Sequence, residues 1–411
     1  MYRFLIGTVT PKDSVQGGIP VVPKLLSPAV GDSNVQDQWF RLFAYAAPFY
    51  AESDPQLSRE MMWTWHHGGS VVQDTGAHPC TLLALLYPKP ELPQSAPDLA
   101  SVHYAHIGYV IFRQHFGAWG QENFAIFETS PLTYHAHHDE GHFSIWADAT
   151  PLTLDSGTGG YYNGDRCWYL SGRAHNVVQF EDELGALQDG PLRSHCEDIH
   201  FSEGLDYVPS EIPDIHAESY HRHFAYVKAG FDVYVVWDQI HSQRNSVWNL
   251  HTLSTSSDVK GNVITSHCLN GKQLETTFLE PLQLCAMVEH GGVAGEYPLA
   301  VQEHFQISGN PGSDYLTLLY PKSAESQELT VQTLPVSPLV PGLRMYRVTK
   351  DEHNSFLLLV NGSEHKQIFS IVSDVPLLEL RSEKSYPLDT YGRCHVEVDA
   401  DRLTILVHAC S

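Results

Sequence analysis

The feature that most constrains the fold is a switch to a period of two in the hydrophobic pattern, which begins near residue 104 and continues through the rest of the chain. Successive side chains of a β-strand point to opposite faces, so this period is typical of strands. Turn residues separate many of the runs, which are 109–113, 123–127, 143–146, 224–228, 233–237, 315–320, 355–360, 367–372 and 403–408. We therefore expect residues 105–411 to be all-β, in two packed sheets or sandwiches.

The first hundred residues have a different pattern. Residues 1–32 are rich in proline and glycine and are interpreted as a loop or an extended lead-in. Asp54 followed by Pro55 supplies an N-cap and a proline at the first helical position, which predicts a helix ending at Gly68-Gly69. Two further segments have helical character: 35–50 and 81–86. So few helices do not bury their apolar faces alone, and they are expected to pack on the β part.

These patterns predict an α+β protein that is mostly β. Its three parts would be a short helical segment at 1–104, a large central antiparallel β-sandwich at 105–335 and a smaller C-terminal β lobe at 336–411. A proline-rich stretch at 334–341 marks the second boundary. A chain of 411 residues is long enough for two or three domains with a large core.

The charge of the chain restricts its partners. With 48 acidic and 24 basic residues the formal net charge is −24, so we expect neither nucleic acid nor an anionic membrane as a partner. No apolar run approaches the roughly eighteen residues of a membrane-spanning helix, which predicts a soluble protein. The N-terminus is too weakly apolar for a signal peptide, so the compartment is not readable from it. An acidic polysaccharide would need a locally basic or metal-assisted cleft.

The residues best suited to chemistry lie between 134 and 178, where five histidines and several carboxylates occur among short apolar runs. His137, Asp155 and His175 offer two nitrogens and one oxygen from three separate segments. Such a set suits zinc and leaves one position for water or another ligand. A chain with 25 histidines also clusters some of them by chance, so a purely structural role stays open. Surface or satisfied interior positions are the preferred interpretation for histidines 66, 67, 103, 106, 115, 216, 221 and 223.

Four motifs occur in a fixed order in this stretch. They are His-x-His-x-Asp-x-Gly-x-Phe from His135, Leu-x-x-Asp-x-Gly from Leu152, the tyrosines at 161–162 and Ala-His-Asn from Ala174. Together they resemble the heparinase II/III-like family of polysaccharide lyases. The resemblance implies an N-terminal (α/α) toroid packed against a large antiparallel β-sandwich, with an acidic sugar chain in the cleft between them. The helical segment here would be the end of that toroid.

The resemblance also implies roles for individual residues. A structural zinc ion would be held by His137, Asp155 and His175. His135 would face the substrate as a base or as a neutraliser of its carboxylate. Tyr161, with Tyr162 as the reserve, would assist as an acid or base or contact the sugar.

The hypothesis of a polysaccharide lyase also includes two substrate-binding arginines and a reaction type. Arg173 and Arg166 are candidates for binding sugar carboxylates or sulfates, although two solvated arginines are the preferred interpretation. The implied reaction is β-elimination on a polymer containing uronic acid, such as a glycosaminoglycan or alginate. The C5 proton is removed by a base, and the leaving oxygen is protonated by an acid. By resemblance, such a lyase would be bacterial and periplasmic or secreted.

The chain also departs from the family. The toroid normally spans a few hundred residues and carries the principal catalytic tyrosine, whereas only about one hundred residues precede the sheet here. Three explanations stay open: a fragment lacking part of the toroid, a subunit completed by another chain of the same or a different kind, and a member without activity. A non-catalytic carbohydrate-binding protein is therefore the main alternative, and a zinc-dependent hydrolase is a third.

Overall fold

The computed structural model describes residues 1–16, 19–30, 33, 39–70, 91–129, 137–158, 166–180, 194–214, 217–284, 286–292, 301–336 and 342–409. Antiparallel β-sheet dominates this part of the chain and follows a few N-terminal helices, which confirms the predicted fold class. None of the described helices is long and apolar enough to cross a membrane. The helix predicted at 81–86 lies outside the described residues.

Helices are short and lie mainly at the N-terminus. The described α-helices are α1 (Tyr2–Gly7), α2 (Phe43–Tyr50), α3 (Pro55–Thr64) and α4 (Arg166–Leu170). Single turns of 3-10 or π type lie at Phe40–Leu42, Trp65–Gly69, Gly172–Ala174 and Leu269–Gly271. Helix α3 begins as predicted, because Asp54 Oδ1 accepts the Leu57 N–H at 3.1 Å and Pro55 has no N–H to satisfy.

The interpretation of residues 1–32 as only a loop or extended lead-in is wrong at its start, where α1 lies. The Tyr2 ring packs edge-on against Phe43 at 5.8 Å and Tyr50 at 5.6 Å, and Ile6 is buried in the same cluster. Six residues are too few to give a clear helical period. Tertiary packing on α2 therefore decides this helix rather than a local signal.

Within the described part of the chain, the strands form three main sheets and two small ones. The first sheet has nine strands: β3 (Val102–Tyr104), β4 (Tyr109–Gln114), β5 (Asn123–Glu128), β6 (Phe143–Ala147), β7 (Thr150–Thr153), β8 (Val178–Phe180), β14 (Ser246–Thr252), β18 (Ala286–Gly292) and β19 (Val301–Gly309). The middle sheet also has nine: β9 (His195–Cys196), β10 (His200–Phe201), β11 (Leu205–Glu211), β12 (Ser219–Val227), β13 (Val233–His241), β15 (Ser254–Lys260), β16 (Val263–Cys268), β17 (Lys272–Glu280) and β20 (Tyr315–Ser323).

The remaining strands lie at the two ends of the chain. The C-terminal sheet has six: β21 (Thr330–Thr333), β22 (Leu343–Thr349), β23 (Ser355–Asn361), β25 (Leu377–Glu379), β26 (Ser385–Tyr386) and β28 (Arg402–His408). Two hairpin-like pairs complete the set: β1 (Asp13–Gln16) with β2 (Ile19–Lys24), and β24 (Gln367–Val372) with β27 (Arg393–Val398). Pairing is antiparallel between neighbouring strands of the described sheets.

Two apolar cores explain why the middle sheet is so hydrophobic. On one face it packs against the first sheet, where Phe143, Phe224 and Trp248 belong to a single cluster. On its other face it packs against the C-terminal sheet, with Trp237 and Leu358 in the shared cluster. Strand β13 is consequently buried from Val233 to Ile240. A strand covered on both faces is apolar without alternation, which is why 233–237 is a continuous apolar run.

The three-part division at 104 and 335 stays a prediction. Near the first boundary, β3 already pairs with β4 of the first sheet. Near the second, β21 pairs with β22 of the C-terminal sheet, so that strand lies with the C-terminal lobe although it precedes residue 336.

Candidate metal-binding site

The ends of β6, β7 and α4 bring the predicted ligands together. His137 lies in the loop before β6, Asp155 follows β7 directly, and His175 follows the turn after α4. Each of the three side chains is at most 1% exposed. His135, Tyr161 and Tyr162 lie outside the described residues, so their predicted roles stay predictions.

His175 and Asp155 form the closest polar pair of this site. Their Nδ1 and Oδ2 atoms are 2.6 Å apart, and the other imidazole nitrogen, Nε2, is 3.0 Å from the Tyr169 carbonyl. Burial alone would lower the pKa of His175, but the Asp155 carboxylate outweighs it and the pKa is raised. Burial likewise acts to raise the pKa of Asp155, and His175 reverses that shift. The pair is therefore stabilised in its ionised form when no metal is bound.

Two overlapping groups of side chains have metal-ligand chemistry. One consists of His137, Asp139 and His175, the other of His142, Asp155 and His175, and within each group the ligand atoms lie within 4.8 Å of one another. We call these five residues the histidine cluster. His175 is common to both groups, and the predicted set of His137, Asp155 and His175 takes members from each. The described geometry thus supports a His/Asp metal site without selecting a single ligand set.

His142 is the least available of the five. Its Nδ1 accepts the Asn176 N–H at 2.9 Å, which leaves the proton on Nε2. That Nε2–H lies 3.0 Å from Ser144 Oγ, an oxygen that also accepts the Asp155 N–H. Burial lowers the pKa of His142 to about 3, so the ring is neutral. The Nδ1 lone pair of His142 is therefore used by a backbone N–H, whereas Nδ1 of His175 faces the Asp155 carboxylate, which is itself a candidate metal ligand. For this reason His142 is the weaker candidate of the two.

An excess of buried carboxyl groups surrounds the cluster. Glu128, at the end of β5, is fully buried, and among the described residues neither of its carboxyl oxygens has a hydrogen-bond partner. Burial and the nearby Asp139 raise the pKa of Glu128 well above its usual range. The same two causes raise the pKa of Glu140 to about 8. A bound cation would offset this concentration of acidic groups, which is an independent reason to expect one here.

Arg222 on β12 forms hydrogen bonds to the loops that carry the histidine cluster. Its Nη1 donates to the Gly141 carbonyl at 2.7 Å and to the Asn176 carbonyl at 2.6 Å. Its Nε and Nη2 donate to the two oxygens of Asp238 at 2.6 and 3.0 Å. Trp248 Nε1 also donates to Asp238, at 2.8 Å. Arg222 and Asp238 are fully buried, so this ion pair is part of the frame of the site.

Asn176 links the same loops sideways. Its Nδ2 donates to the Phe143 carbonyl at 2.7 Å, and its Oδ1 accepts the His251 N–H at 2.6 Å. The turn containing Arg173 is tied to the same strand, since the Arg173 carbonyl lies 2.8 Å from His251 Nε2. Asn176 therefore fixes the distance between β6 and β14, on which the position of His175 depends.

The arginines proposed for substrate binding lie beside the cluster. Arg166 begins α4 and Arg173 lies in the following turn, and both are half-buried. Their proposed contacts with a sugar stay predictions. Glu128 and Arg222 were not predicted from the sequence. The available signal for Glu128 was its position at the end of an apolar strand run, whereas Arg222 lies between two histidines and no local pattern marks it as buried.

Residues 96–256 match the family model described as heparinase II/III-like, C-terminal. The resemblance to the heparinase II/III-like family is thereby confirmed. The matched segment contains the whole histidine cluster, Arg222 and Asp238. No match was found among curated proteins.

Solved structures with a similar fold are heparinases. Heparan sulfate lyase HepC from Pedobacter heparinus is 17% identical, with a TM-score of 0.61 over 82% of this chain and 50% of that one. The heparinase III-BT4657 gene product is 14% identical, with a TM-score of 0.60 over 85% of this chain and 50% of that one. A further heparinase III is 13% identical, with a TM-score of 0.63 over 87% and 53%. The chain therefore spans about half the length of these proteins, and the likeness establishes the fold.

Proposed function

We propose that this protein is a polysaccharide lyase that cleaves a uronic-acid-containing polysaccharide, such as a glycosaminoglycan or alginate, by β-elimination. The observation that carries the proposal is the buried histidine cluster, which lies inside the segment that matches the heparinase II/III-like model. Solved structures with the same fold bear the names of heparinases and a heparan sulfate lyase, which supports an acidic polysaccharide as the substrate.

The donor set fits a structural zinc ion. Two imidazoles and one or two carboxylates, completely buried and surrounded by further acidic groups, are ligands that zinc accepts. We assign His137, Asp155 and His175 as the ligands, with Asp139 as the substitute for Asp155. The ion would supply positive charge that neutralises the buried carboxylates and holds the loops after β7 and α4 together. Removing it would leave those loops to depend on Arg222 and Asn176 alone.

The proton transfers are assigned to side chains around that frame. His135 takes the C5 proton of the uronate or neutralises its carboxylate while the C4=C5 bond forms. Tyr161, or Tyr162 in its place, protonates the oxygen that leaves C4 as the C4–O bond breaks. Arg173 and Arg166 pair with sugar carboxylates or sulfates. The electron pair of the C5–H bond ends in the new double bond, so no water is consumed.

A second candidate function is a non-catalytic or incomplete carbohydrate-binding member of the same family. Its support is that the histidine cluster is almost completely buried, so that metal binding explains it without any proton transfer. This protein would bind the polysaccharide and leave it intact.

The test is to incubate the protein with heparan sulfate, other glycosaminoglycans and alginate, and to follow the ultraviolet absorbance of the unsaturated product. We expect a rise with at least one polymer, abolished in His135→Ala and unchanged in His353→Ala, a histidine whose side chain is 83% exposed. Binding without any rise would favour the second candidate. New reducing ends without the chromophore would indicate a hydrolase.

Metal analysis tests the zinc assignment separately. We expect about one zinc per chain in the wild type and in His353→Ala, and none in His137→Ala. A wild-type protein that is fully folded after extensive chelation and binds no added zinc would refute the assignment.

A further inference from the structure

A second group of histidines lies far from the histidine cluster, in a cleft between the middle sheet and the C-terminal lobe. Strands β9, β11 and β12 form one wall, and the turn leading into β28 forms the other. The cleft has a volume of about 290 Å³. The side chains that matter in it are His195, Glu197, Glu211, His221, His223 and Arg402. We call it the junction cleft.

Strand register brings these residues to one face of the middle sheet. His195 on β9 pairs with Glu211 on β11, which pairs in turn with His221 on β12. Directly paired residues point to the same side, and so does His223, two positions along the strand. Arg222, between the two histidines, points to the opposite face and reaches the loops of the histidine cluster. The two sites therefore lie on opposite faces of β12.

His223 offers a hydrogen-bond donor to this cleft. Its Nδ1 lies 2.6 Å from the Tyr207 hydroxyl, which has no other hydrogen-bond acceptor within reach among the described residues. The hydroxyl proton is thus directed to Nδ1, and the imidazole carries its own proton on Nε2. The ring is 2% exposed and stacks on Trp237 at 4.5 Å, and Nε2 has no hydrogen-bond partner among the described residues. A buried donor in this state is satisfied by an acceptor from outside the protein, either a ligand or a water molecule.

The two sides of the cleft differ in charge. Beside the His223 donor stands Arg402, which is 25% exposed and pairs at 2.8 Å with Asp198, itself 59% exposed. Towards the solvent stand the carboxylates of Glu211 and Glu197, the latter 2.8 Å from His195 Nε2. The turn is pinned to the sheet because Gln239 Nε2 donates to Asp401 Oδ1 at 3.1 Å.

This combination of a neutral donor, an arginine and two carboxylates argues against two simple ligands, a metal ion and a bare inorganic anion. A metal ion would need deprotonated Nε2 on His223, whereas the Tyr207 hydroxyl favours the protonated form. In addition, the groups of described residues with convergent metal ligands are both in the histidine cluster. A bare inorganic anion would be repelled by Glu197 and Glu211. A ligand that carries one carboxylate and several hydroxyls satisfies both sides, since its carboxylate accepts from His223 and Arg402 while its hydroxyls donate to the glutamates.

We propose that the junction cleft binds a uronate unit of an acidic saccharide, separately from the histidine cluster. The choice of saccharide rests on the proposed function, but the junction cleft shares no residue with the histidine cluster. The low pKa of His223, which burial and then Arg402 push well below the usual range, agrees with a neutral donor. A polysaccharide held here would remain attached to the sandwich while another part of it occupied the candidate active site.

The test uses glucuronate as the probe and the full chain as the protein. Histidine side-chain ¹⁵N NMR should first find the Nε2–H tautomer of His223, and titration with millimolar glucuronate should shift that signal. Calorimetry on the same samples should give an affinity that falls at least about tenfold in His223→Phe and in Arg402→Gln. Arg393→Gln is the matched control, because Arg393 also forms one ion pair, with Asp389, away from the cleft.

Three results would overturn the proposal: an unchanged His223 signal at saturating glucuronate, an Nδ1–H tautomer, or equal affinity in Arg402→Gln and the wild type. Thermal unfolding verifies that each variant is folded. If His223→Phe is unfolded, the affinity of Arg402→Gln alone provides the test. The proposed lyase function can be refuted independently of the junction cleft. A wild type without lyase activity but with the His223 shift would refute the lyase and retain the cleft. His137→Ala should lose zinc while keeping the shift.

Discussion

The histidine cluster and the junction cleft use the same kind of side chain under opposite electrostatic conditions. In the cluster, His175 faces Asp155 at 2.6 Å and the pKa of the imidazole is raised despite complete burial. In the cleft, His223 is nearly as buried but stands near Arg402, and its pKa is lowered. The first environment suits a metal or a charged pair, and the second suits a neutral donor. Burial lowers the pKa of both imidazoles, but the Asp155 carboxylate reverses that shift at His175, whereas Arg402 adds to it at His223.

The supports of the two sites differ as well. The cluster depends on a fully buried ion pair, Arg222 with Asp238, which ties the loops containing Gly141 and Asn176 to the middle sheet. The cleft depends on partly exposed contacts with the C-terminal lobe, such as Arg402 with Asp198. Breaking a buried pair leaves an unpaired charge in the interior, whereas exposed pairs contribute little to stability. The cluster should therefore be far more sensitive to loss of its support.

The largest expected effect comes from Arg222→Met, which removes the guanidinium and keeps most of the volume. Asp238 would remain buried without its main partner, so we expect a loss of about 3–5 kcal/mol in the free energy of unfolding. Urea denaturation measures it. Arg402→Gln should lose less than about 1 kcal/mol, because its partner is exposed.

A double variant sharpens this comparison. Arg222→Met with Asp238→Leu removes both charges and should recover part of the stability. It should not restore zinc binding, since the carbonyls of Gly141 and Asn176 still lack their donor. Equal losses of stability in Arg222→Met and Arg402→Gln would mean that the buried ion pair contributes no more to stability than the exposed one.

A smaller effect is expected from Asn176→Ala. The substitution leaves the buried Phe143 carbonyl and His251 N–H without their partner, which costs about 1–3 kcal/mol for each unsatisfied group. Zinc affinity should fall about 10–100-fold, because the side chain orients the segment that carries His175. Competition with a chromophoric chelator measures the affinity. Unchanged affinity together with reduced stability would restrict Asn176 to a purely structural role.

The smallest effect is a pair of opposite pH dependences, measured without metal. His223 has a lowered pKa, so below about pH 6.5 the unfolded chain takes up a proton that the folded chain does not. Its contribution to stability is present above that pH and falls by about 1.4 kcal/mol per pH unit below it. His175 has a raised pKa, so its contribution is present below about pH 6.5 and is lost as the pH rises through the folded value.

Chemical denaturation at a series of pH values separates the two contributions. His223→Phe should flatten the fall in stability on acidification, and His175→Gln should flatten the loss on the alkaline side. Parallel profiles for the two variants would show that neighbouring charge does not distinguish the two histidines.

Much of the framework was predictable from the sequence. Apolar runs bounded by turn residues located strands such as β4, β5 and β13, and Asp54-Pro55 located the start of α3. These features are encoded by residues adjacent in the chain, so local physics suffices to find them. The motif from His137 to His175 likewise indicated the resemblance to the heparinase II/III-like family and the candidate ligands, because these residues lie within one short segment.

Only the tertiary structure decided which residues support or oppose those ligands. Arg222 and Asp238 are separated from the histidine motif in sequence, and their pairing follows from the register of β12 on β13. The junction cleft joins residues near 195–223 with residues near 400–402, which no local period relates. The sequence alone therefore determined the strands, the motif and the resemblance to the heparinase II/III-like family. Long-range packing determined the charge around each histidine, because an imidazole responds to neighbours in space rather than to neighbours in the chain.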